Sequence, residues 1–199
     1  MAGTYSVLSS RRSAVSAHAL AGAALALACA LDAAAADGVF RLQSPSIAPN
    51  SMLSNEQVYS GFGCSGKNIS PALSWKGAPH DTKSFALTVY DPDAPTGSGW
   101  WHWVVYNIPA DVSELPAGAG NAGGNLPAGA LQGHSDFGTS GFGGACPPPG
   151  YKPHHYIFTV YALKVEKISV PDEASAAMVG FMIHANALAK ASLTARYAR

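Results

Sequence analysis

The residues best suited to chemistry are two histidines and an acid, each beside a run typical of a β-strand. His102 stands among three tryptophans just before one such run, and His154 opens another. Asp91 follows a third run and begins the turn DPDAP. If those runs are neighbouring strands, two imidazoles and a carboxylate converge at one end of a sheet. A carboxylate beside a histidine orients the ring and favours its protonated form.

Three kinds of site fit this set of residues. Two protonatable imidazoles beside the amides of a glycine-rich loop would make a pocket that accepts a small anion. Two histidines and one carboxylate are also the ligand count of a facial-triad iron centre. A histidine among tryptophans can instead be a structural residue that is held by hydrogen bonds. The residues alone leave these three interpretations open.

Patterns that resemble established catalytic motifs fail on their context. The segment GFGCSG (61–66) matches the dinucleotide fingerprint, but Pro71 follows too closely for the helix that the fingerprint requires. Ser140 in GTSGF is one position out of place for a nucleophile elbow. Cys64 and Cys146 are poor candidates for a nucleophile, because paired cysteines of exported proteins are usually oxidised. These motifs give no support to a hydrolase, and we expect a protein that is not an enzyme and needs no cofactor, with the metal site as the alternative.

Strands are predicted more readily than helices. The runs 84–90, 103–108 and 155–163 are rich in β-branched and aromatic residues and are almost continuously apolar. Such runs suit strands that are covered on both faces. Weaker strand candidates lie near Val39 and Trp75. Between the second and third of the strong runs, residues 116–150 are dominated by glycine, alanine and proline, which predicts a long ordered loop with a functional role.

One helix is predicted near the C-terminus, starting at about Asp172. Proline and acidic residues at positions 171–173 suit a helix start, whereas Gly180 weakens the prediction. After Lys190 an alternating pattern predicts a closing strand. The apolar residues that recur at helical spacing are Ala174, Met178, Phe181, Met182, Ala185 and Leu188.

The first 36 residues differ in composition from the rest of the chain. Arg11 and Arg12 precede an alanine- and leucine-rich run that ends in three alanines at 34–36. This pattern predicts a signal peptide over 1–36 and a single domain over 37–199, exported to the periplasm or secreted, with Sec and Tat routes both open. The uninterrupted apolar stretch is shorter than the ~20 residues of a membrane span, so we expect no transmembrane segment after cleavage.

Composition limits the partners of the mature chain. The 199 residues carry no net charge and only 12% are charged, which excludes a partner bound through a nucleic-acid backbone. Removal of Cys29 with the signal leaves two cysteines in an oxidising compartment, where one disulfide is favoured over two separate thiols.

Two longer blocks carry a family resemblance. YDPDAPTGSGWWHWVVYNIP, together with GFGGACPPPG and HHYIFTVYAL, resembles the signature blocks of the phosphatidylethanolamine-binding proteins, also called Raf kinase inhibitor proteins. FGCSGKNISPALSW and MVGFMIHANALAKASLTARY resemble the bacterial branch of that family. The similar blocks occur in the family's order and span nearly the whole predicted mature chain.

This resemblance implies a mainly β fold, a sandwich of antiparallel sheets with a few flanking helices, one of them near the C-terminus. It also implies a pocket at one end of the sheets for phosphate, acetate or phosphorylated headgroups, a Cys64–Cys146 disulfide near that pocket, and a homodimer. Carried over by motif, the ligand-binding residues are Asp91, Pro95, Trp100, His102, Gly144, Pro148, His154 and Tyr156.

The implied roles follow from the charge of an anionic ligand. Both site histidines and Tyr156 donate hydrogen bonds, Asp91 orients an imidazole, and the Gly144 backbone approaches the ligand. Asp93 is expected to satisfy the turn. His155 replaces the family's usual arginine, which removes a permanent charge, and its side chain should alternate away from the pocket.

The expected function is that of an exported, non-enzymatic protein that binds small anions and modulates a signalling or protein partner. Two alternatives stay open. One is a metal- or histidine-assisted hydrolase or oxygenase that uses the same pocket. The other is a protein-interaction module whose pocket is vestigial.

Overall fold

The structure, a computed structural model, describes residues 1–3 and 38–199. Apart from its first three residues, the predicted signal peptide lies outside the described part of the chain. Within that part, we find no helix with the length and apolar character needed to cross a membrane.

Ten short and long strands, one α-helix and one 3₁₀ helix form the described fold. The α-helix, α1, spans Ala176–Asn186, and the 3₁₀ helix spans Asn55–Gln57. The strands are β1 (Arg41–Gln43), β2 (Ser60–Gly61), β3 (Cys64–Ser65), β4 (Leu73–Lys76), β5 (Ser84–Asp91), β6 (Trp100–Pro109), β7 (Glu114–Leu115), β8 (Leu131–Gln132), β9 (His154–Leu163) and β10 (Ala187–Tyr197).

Two antiparallel sheets face each other around the main core. The larger sheet has the strand order β10-β9-β5-β6-β8 and the smaller one β1-β4-β7, while β2 and β3 form a separate hairpin. Leu87, Trp103 and Phe158 of the larger sheet belong to the same buried cluster as Leu73 and Leu115 of the smaller one. Each such side chain contributes about 1.5–3 kcal/mol on burial. The predicted mainly β sandwich is therefore confirmed.

The outer face of the larger sheet is covered as well. Val104 and Leu163 point to this side, where they join a second buried cluster with Val179 and Ile183 of α1. Burial on both faces explains why the strand sequences are almost continuously apolar. The three main strands match their predictions, although β6 begins three residues earlier than expected, at Trp100.

The helix exists as predicted, but its start is different. Ser175 is the N-cap, and its side chain accepts a hydrogen bond from the backbone N–H of Met178 at 3.2 Å. The prolyl and acidic residues at 171–173 precede the helix instead of opening it. A serine that can cap a free N–H decides the boundary more directly than charge near the helix end.

The spacing of apolar residues does not identify the buried face of the helix. Val179, Gly180 and Ile183 face the sheet, whereas Met178 and Phe181 are 49% and 70% exposed. Both faces carry apolar residues, so spacing alone could not distinguish them. Gly180 favours the observed face because it lets the helix approach the sheet: a Cβ there would lie 3.3 Å from the indole ring of Trp101. That contact is the packing role of the glycine.

Candidate functional site

The candidate site lies at the end of the larger sheet, on the face that is directed towards the main core. Along β5, Leu87 and Val89 are core residues, and Asp91 is the next residue on the same side. Along β9, Phe158 belongs to the core, and His154 occupies the same face at the strand's first position. Alternate residues of a strand share one face. Acid and imidazole therefore replace apolar side chains where the core reaches the end of the sheet.

His102 reaches this face through a β-bulge. Val89 pairs with Trp103, and the next residue of β5, Tyr90, pairs with Trp101, so His102 is an extra residue in β6. Bulges re-aim side chains at such positions. Strand β5 lies between β6 and β9, so the two histidine-bearing strands are not direct neighbours. The histidines converge because they flank the strand that carries the carboxylate.

Asp91 orients His154 and also shapes its own turn. Nδ1–H of His154 donates to Oδ2 of Asp91 at 2.7 Å, and both side chains are almost fully buried. Oδ1 of Asp91 accepts the backbone N–H of Asp93 at 2.8 Å, an arrangement typical of Asx turns. Removing one partner of a buried ion pair costs about 3–5 kcal/mol. The carboxylate is thus occupied on both oxygens, and His154 is fixed with Nε2 as its remaining nitrogen.

Asp93 has a role different from the predicted one. Its Oδ2 accepts both the backbone N–H and Nδ1–H of His155, each at 2.7 Å. Burial raises the pKa of Asp93, but these hydrogen bonds and the charge of His155 outweigh burial, so the pKa is lowered from 3.8. Asp93 fastens the start of β9 to the turn after β5. His155 is partly exposed, in agreement with its expected orientation away from the pocket.

His102 is held by a neutral group. Its Nδ1–H donates to the carbonyl oxygen of Gly143 at 2.7 Å, because a carbonyl can only accept. Burial lowers the pKa of His102 from its ordinary 6.5, against weaker opposing effects of that carbonyl and of Asp91. Burial therefore favours the uncharged ring, in which Nε2 carries a lone pair.

Tyr156 supplies a buried hydroxyl. Its side chain lies edge-on to the ring of His102, with centroids 5.1 Å apart. Burial, and secondly the charge of Asp91, raise the pKa of Tyr156 far above its usual range. The backbone of Cys146 lies near enough to oppose this rise in pKa, but among the described residues the hydroxyl has no acceptor within hydrogen-bond geometry. Native structures rarely leave a buried hydroxyl unpaired, since this costs about 1–3 kcal/mol.

These groups meet in a cavity of about 230 Å³ at the end of the sheet. Its lining combines an acid and two histidines with several prolines and aromatic rings. Seven of the eight predicted ligand-binding residues line it: Asp91, Pro95, Trp100, His102, Pro148, His154 and Tyr156.

Gly144 is the exception among the predicted ligand-binding residues. Its backbone N–H donates to Oδ1 of Asn68 at 2.6 Å, so this amide is not free for an anion. A Cβ at Gly144 would lie 2.4 Å from the carbonyl oxygen of Gln57. The glycine is needed for close packing of two loops. Asn68 organises this loop by also donating from Nδ2 to the Phe142 carbonyl oxygen at 3.2 Å.

Sequence reasoning missed an aromatic wall of the cavity. Phe62 and Phe137 line it, with ring centroids 5.9 Å apart in a stacked arrangement. Trp100 packs edge-on against Phe137 at 5.4 Å. No spacing or charge in the sequence marks either phenylalanine, because one lies in a short hairpin and the other in the long glycine-rich loop.

The disulfide between Cys64 and Cys146 ties this wall together. The two Cα atoms are 6.0 Å apart. The bridge links the β2–β3 hairpin, which carries Phe62 at its turn, to the segment that lines the cavity with Pro147 and Pro148. Covalent closure therefore holds two parts of the mouth that are 82 residues apart in sequence.

A larger cleft of about 970 Å³ lies between the smaller sheet and β10. Leu42, Ile47 and Leu193 line it, and its described lining holds no histidine, tyrosine or cysteine. Its size is not matched by converging polar groups, so the smaller cavity is the better functional candidate. The described residues also contain no group of three or more histidine, cysteine or acidic side chains placed to hold a metal ion.

Comparison with known proteins gives consistent matches. The family model described as phosphatidylethanolamine-binding protein matches residues 43–198. UPF0098 protein YbcL of Escherichia coli K12 is 58% identical over 159 residues, which is 79% of this chain and 87% of the relative. YbhB of the same organism is 52% identical over 157 residues, or 79% of this chain and 99% of the relative.

Solved structures agree with these matches. The crystal structure of E. coli YbcL, described as a new member of the mammalian PEBP family, has a TM-score of 0.79 and 58% identity, and covers 80% of this chain and 98% of its own. A homologue of the phosphatidylethanolamine-binding proteins (PEBP) from Chlamydia trachomatis has a TM-score of 0.67 and 29% identity, and the match covers 80% of this chain and 97% of the homologue.

Proposed function

The chain belongs to the phosphatidylethanolamine-binding protein family, and from this premise we propose that it binds small anions, such as phosphate or a phosphorylated headgroup, in the 230 Å³ cavity. In this proposal the protein is a binding protein and not an enzyme. Anion occupancy then serves to modulate a protein or signalling partner.

The unpaired hydroxyl of Tyr156 is the observation that carries the proposal. It is buried at the cavity that His154 and His102 also line, and both histidines use Nδ1 for protein contacts. A ligand oxygen would give the hydroxyl the acceptor that the protein does not supply. A hydrogen bond to a charged group contributes about 1.5–3 kcal/mol, so a few of them support moderate affinity for a small anion.

Binding is favoured over catalysis by the state of the nucleophiles at the cavity. The sulfur of Cys146 is engaged in the disulfide, and the hydroxyl of Thr96 donates to the Gly99 carbonyl. Asp91 is occupied on both oxygens. These contacts engage all three groups, so none of the three is an activated nucleophile.

We also propose that the mature protein is exported, as the alanine-rich segment after Arg11 and Arg12 indicates. The Cys64–Cys146 bridge supports this location, because structural disulfides persist mainly in oxidising compartments. Immunoblots of fractionated cells test it: the processed protein should accumulate outside the cytoplasm, and retention of the unprocessed chain in the cytoplasm would argue against export.

The binding proposal is tested by titrating the purified protein with phosphate and with phosphoethanolamine while recording histidine NMR signals. We expect saturable shifts at His102 and His154 and none at His184, which contacts Tyr161 on the opposite face of the sheet. His154→Ala should abolish saturation, and the matched variant His184→Ala should retain it. Absence of shifts at both site histidines at millimolar ligand would refute anion binding.

A further inference from the structure

We infer that the cavity selects anions that keep one acidic O–H group, such as phosphomonoesters or phosphonates, over phosphodiesters of the same charge. The inference rests on the proposed function and names the class of anion that the site takes. It is carried by a difference between the two histidines: the ring of His154 donates to the Asp91 carboxylate, whereas the ring of His102 donates to a neutral carbonyl.

His102 offers an acceptor to the cavity. Because Nδ1 must carry the hydrogen that it donates to the Gly143 carbonyl, Nε2 of the neutral ring has only a lone pair. The hydrogen bond described for the ring is at Nδ1, which leaves Nε2 for the cavity that His102 lines, and the residue is 4% exposed. Tyr156, the titratable side chain packed edge-on to this ring, is neutral because burial raises its pKa.

The charged and polar groups around His102 do not reverse this state. Asp91 at the end of β5 and Asp136 in the long loop both favour a positive ring, as do the carbonyl oxygens of Gly143 and Gly144. Burial outweighs them, and the pKa of His102 stays lowered. No lysine or arginine of the described chain lines the cavity to attract an anion in place of the ring.

The position of the ligand's proton then decides the fit. An acidic O–H donates to Nε2 of His102, while the other ligand oxygens accept from the Tyr156 hydroxyl and from His154, which Asp91 holds through Nδ1. An oxygen without a hydrogen, whether esterified or deprotonated, would instead place its lone pair against that of Nε2, which is repulsive and forms no hydrogen bond. Phosphomonoesters have a second pKa of about 6, so the required monoanion is available near neutral pH. Phosphodiesters, including phosphatidylethanolamine, have no such O–H.

Two isomers test this inference with charge and atom count held constant. Ethylphosphonate and methyl methylphosphonate share one formula and are both monoanions at about pH 6, but only ethylphosphonate keeps a P–OH group. By isothermal titration of the wild-type protein, we expect ethylphosphonate to bind at least about tenfold more tightly. Equal affinities would overturn the inference and leave anion binding intact. If neither isomer binds, the proposed function fails and the inference with it.

The variant His102→Gln tests whether Nε2 of His102 causes the preference for ethylphosphonate. In His102→Gln the side-chain amide can donate as well as accept, so we expect the preference to fall below about threefold. A preserved tenfold preference would mean that cavity shape discriminates the isomers, and it would overturn the inference. If the variant does not fold, the wild-type comparison still decides.

Competition identifies the source of the monoester. Vesicles that contain phosphatidic acid present it as a lipid, and glycerol phosphate presents it in solution. Displacement of ethylphosphonate by either supports the inference and names the source, and failure of both overturns it.

Discussion

Replacing Tyr156 by phenylalanine should make the free protein more stable and the anion complex weaker. The hydroxyl is buried without a partner, so the side chain pays a desolvation cost of about 1–3 kcal/mol in the unliganded state. Recovering about 1 kcal/mol would raise the melting temperature of a domain of this size by about 2–4 °C. Loss of a hydrogen bond to a charged oxygen should weaken phosphate binding by about 10- to 150-fold.

Tyr161→Phe is the matched control on the same strand. Tyr161 faces the opposite side of the sheet, and its hydroxyl lies 3.3 Å from Nε2 of His184. We expect this variant to lose about 0.5–1.5 kcal/mol of stability and to bind phosphate like the wild type. Thermal unfolding and calorimetric titration measure both properties. If Tyr156→Phe destabilises the protein as much as Tyr161→Phe, the free hydroxyl carries no desolvation penalty. If Tyr156→Phe keeps wild-type affinity, the hydroxyl does not donate to the ligand.

Three further outcomes follow from the structure. Replacing Cys64 and Cys146 by serine opens a covalent link across 82 residues and should cost about 4–5 kcal/mol in urea unfolding; alkylation of both cysteines without reductant would contradict the bridge. Gly144→Ala should destabilise by about 1–3 kcal/mol because its Cβ would overlap the backbone of a neighbouring loop, whereas Gly38→Ala, with no atom within 4 Å, should be neutral in the same assay. Folding lowers the pKa of His102, so the unfolded chain binds more protons than the folded one as the pH falls below 6.5, and the free energy of unfolding should decrease there. His102→Gln should flatten this pH dependence in anion-free buffer, and an unchanged slope would exclude His102 as its source.

Much of the fold could be predicted because strong local patterns coincided with real burial. The runs that became β5, β6 and β9 are covered by the smaller sheet on one side and by α1 on the other, and continuous apolar sequence reports that directly. The face of α1 could not be predicted in the same way. Met178 and Phe181 are as apolar as the buried side chains, and the close approach of Gly180 to Trp101 depends on tertiary packing.

The candidate site shows a similar division. Residue types and the family resemblance identified His102, His154 and Tyr156, and the cavity brings them together. Hydrogen-bond assignments were less predictable, because a bulge of one residue and the choice between two nearby acids are settled by register. Asp91 therefore accepts hydrogen bonds both from the turn and from His154, and Asp93 accepts one from the start of β9.

A crystal structure with phosphoethanolamine bound tests the central claim most directly. We expect the phosphoryl group in the 230 Å³ cavity, within hydrogen-bond distance of the Tyr156 hydroxyl and of Nε2 of both His102 and His154. A phosphoryl group bound elsewhere, for example in the 970 Å³ cleft beside β10, with the Tyr156 hydroxyl still unpaired, would contradict it.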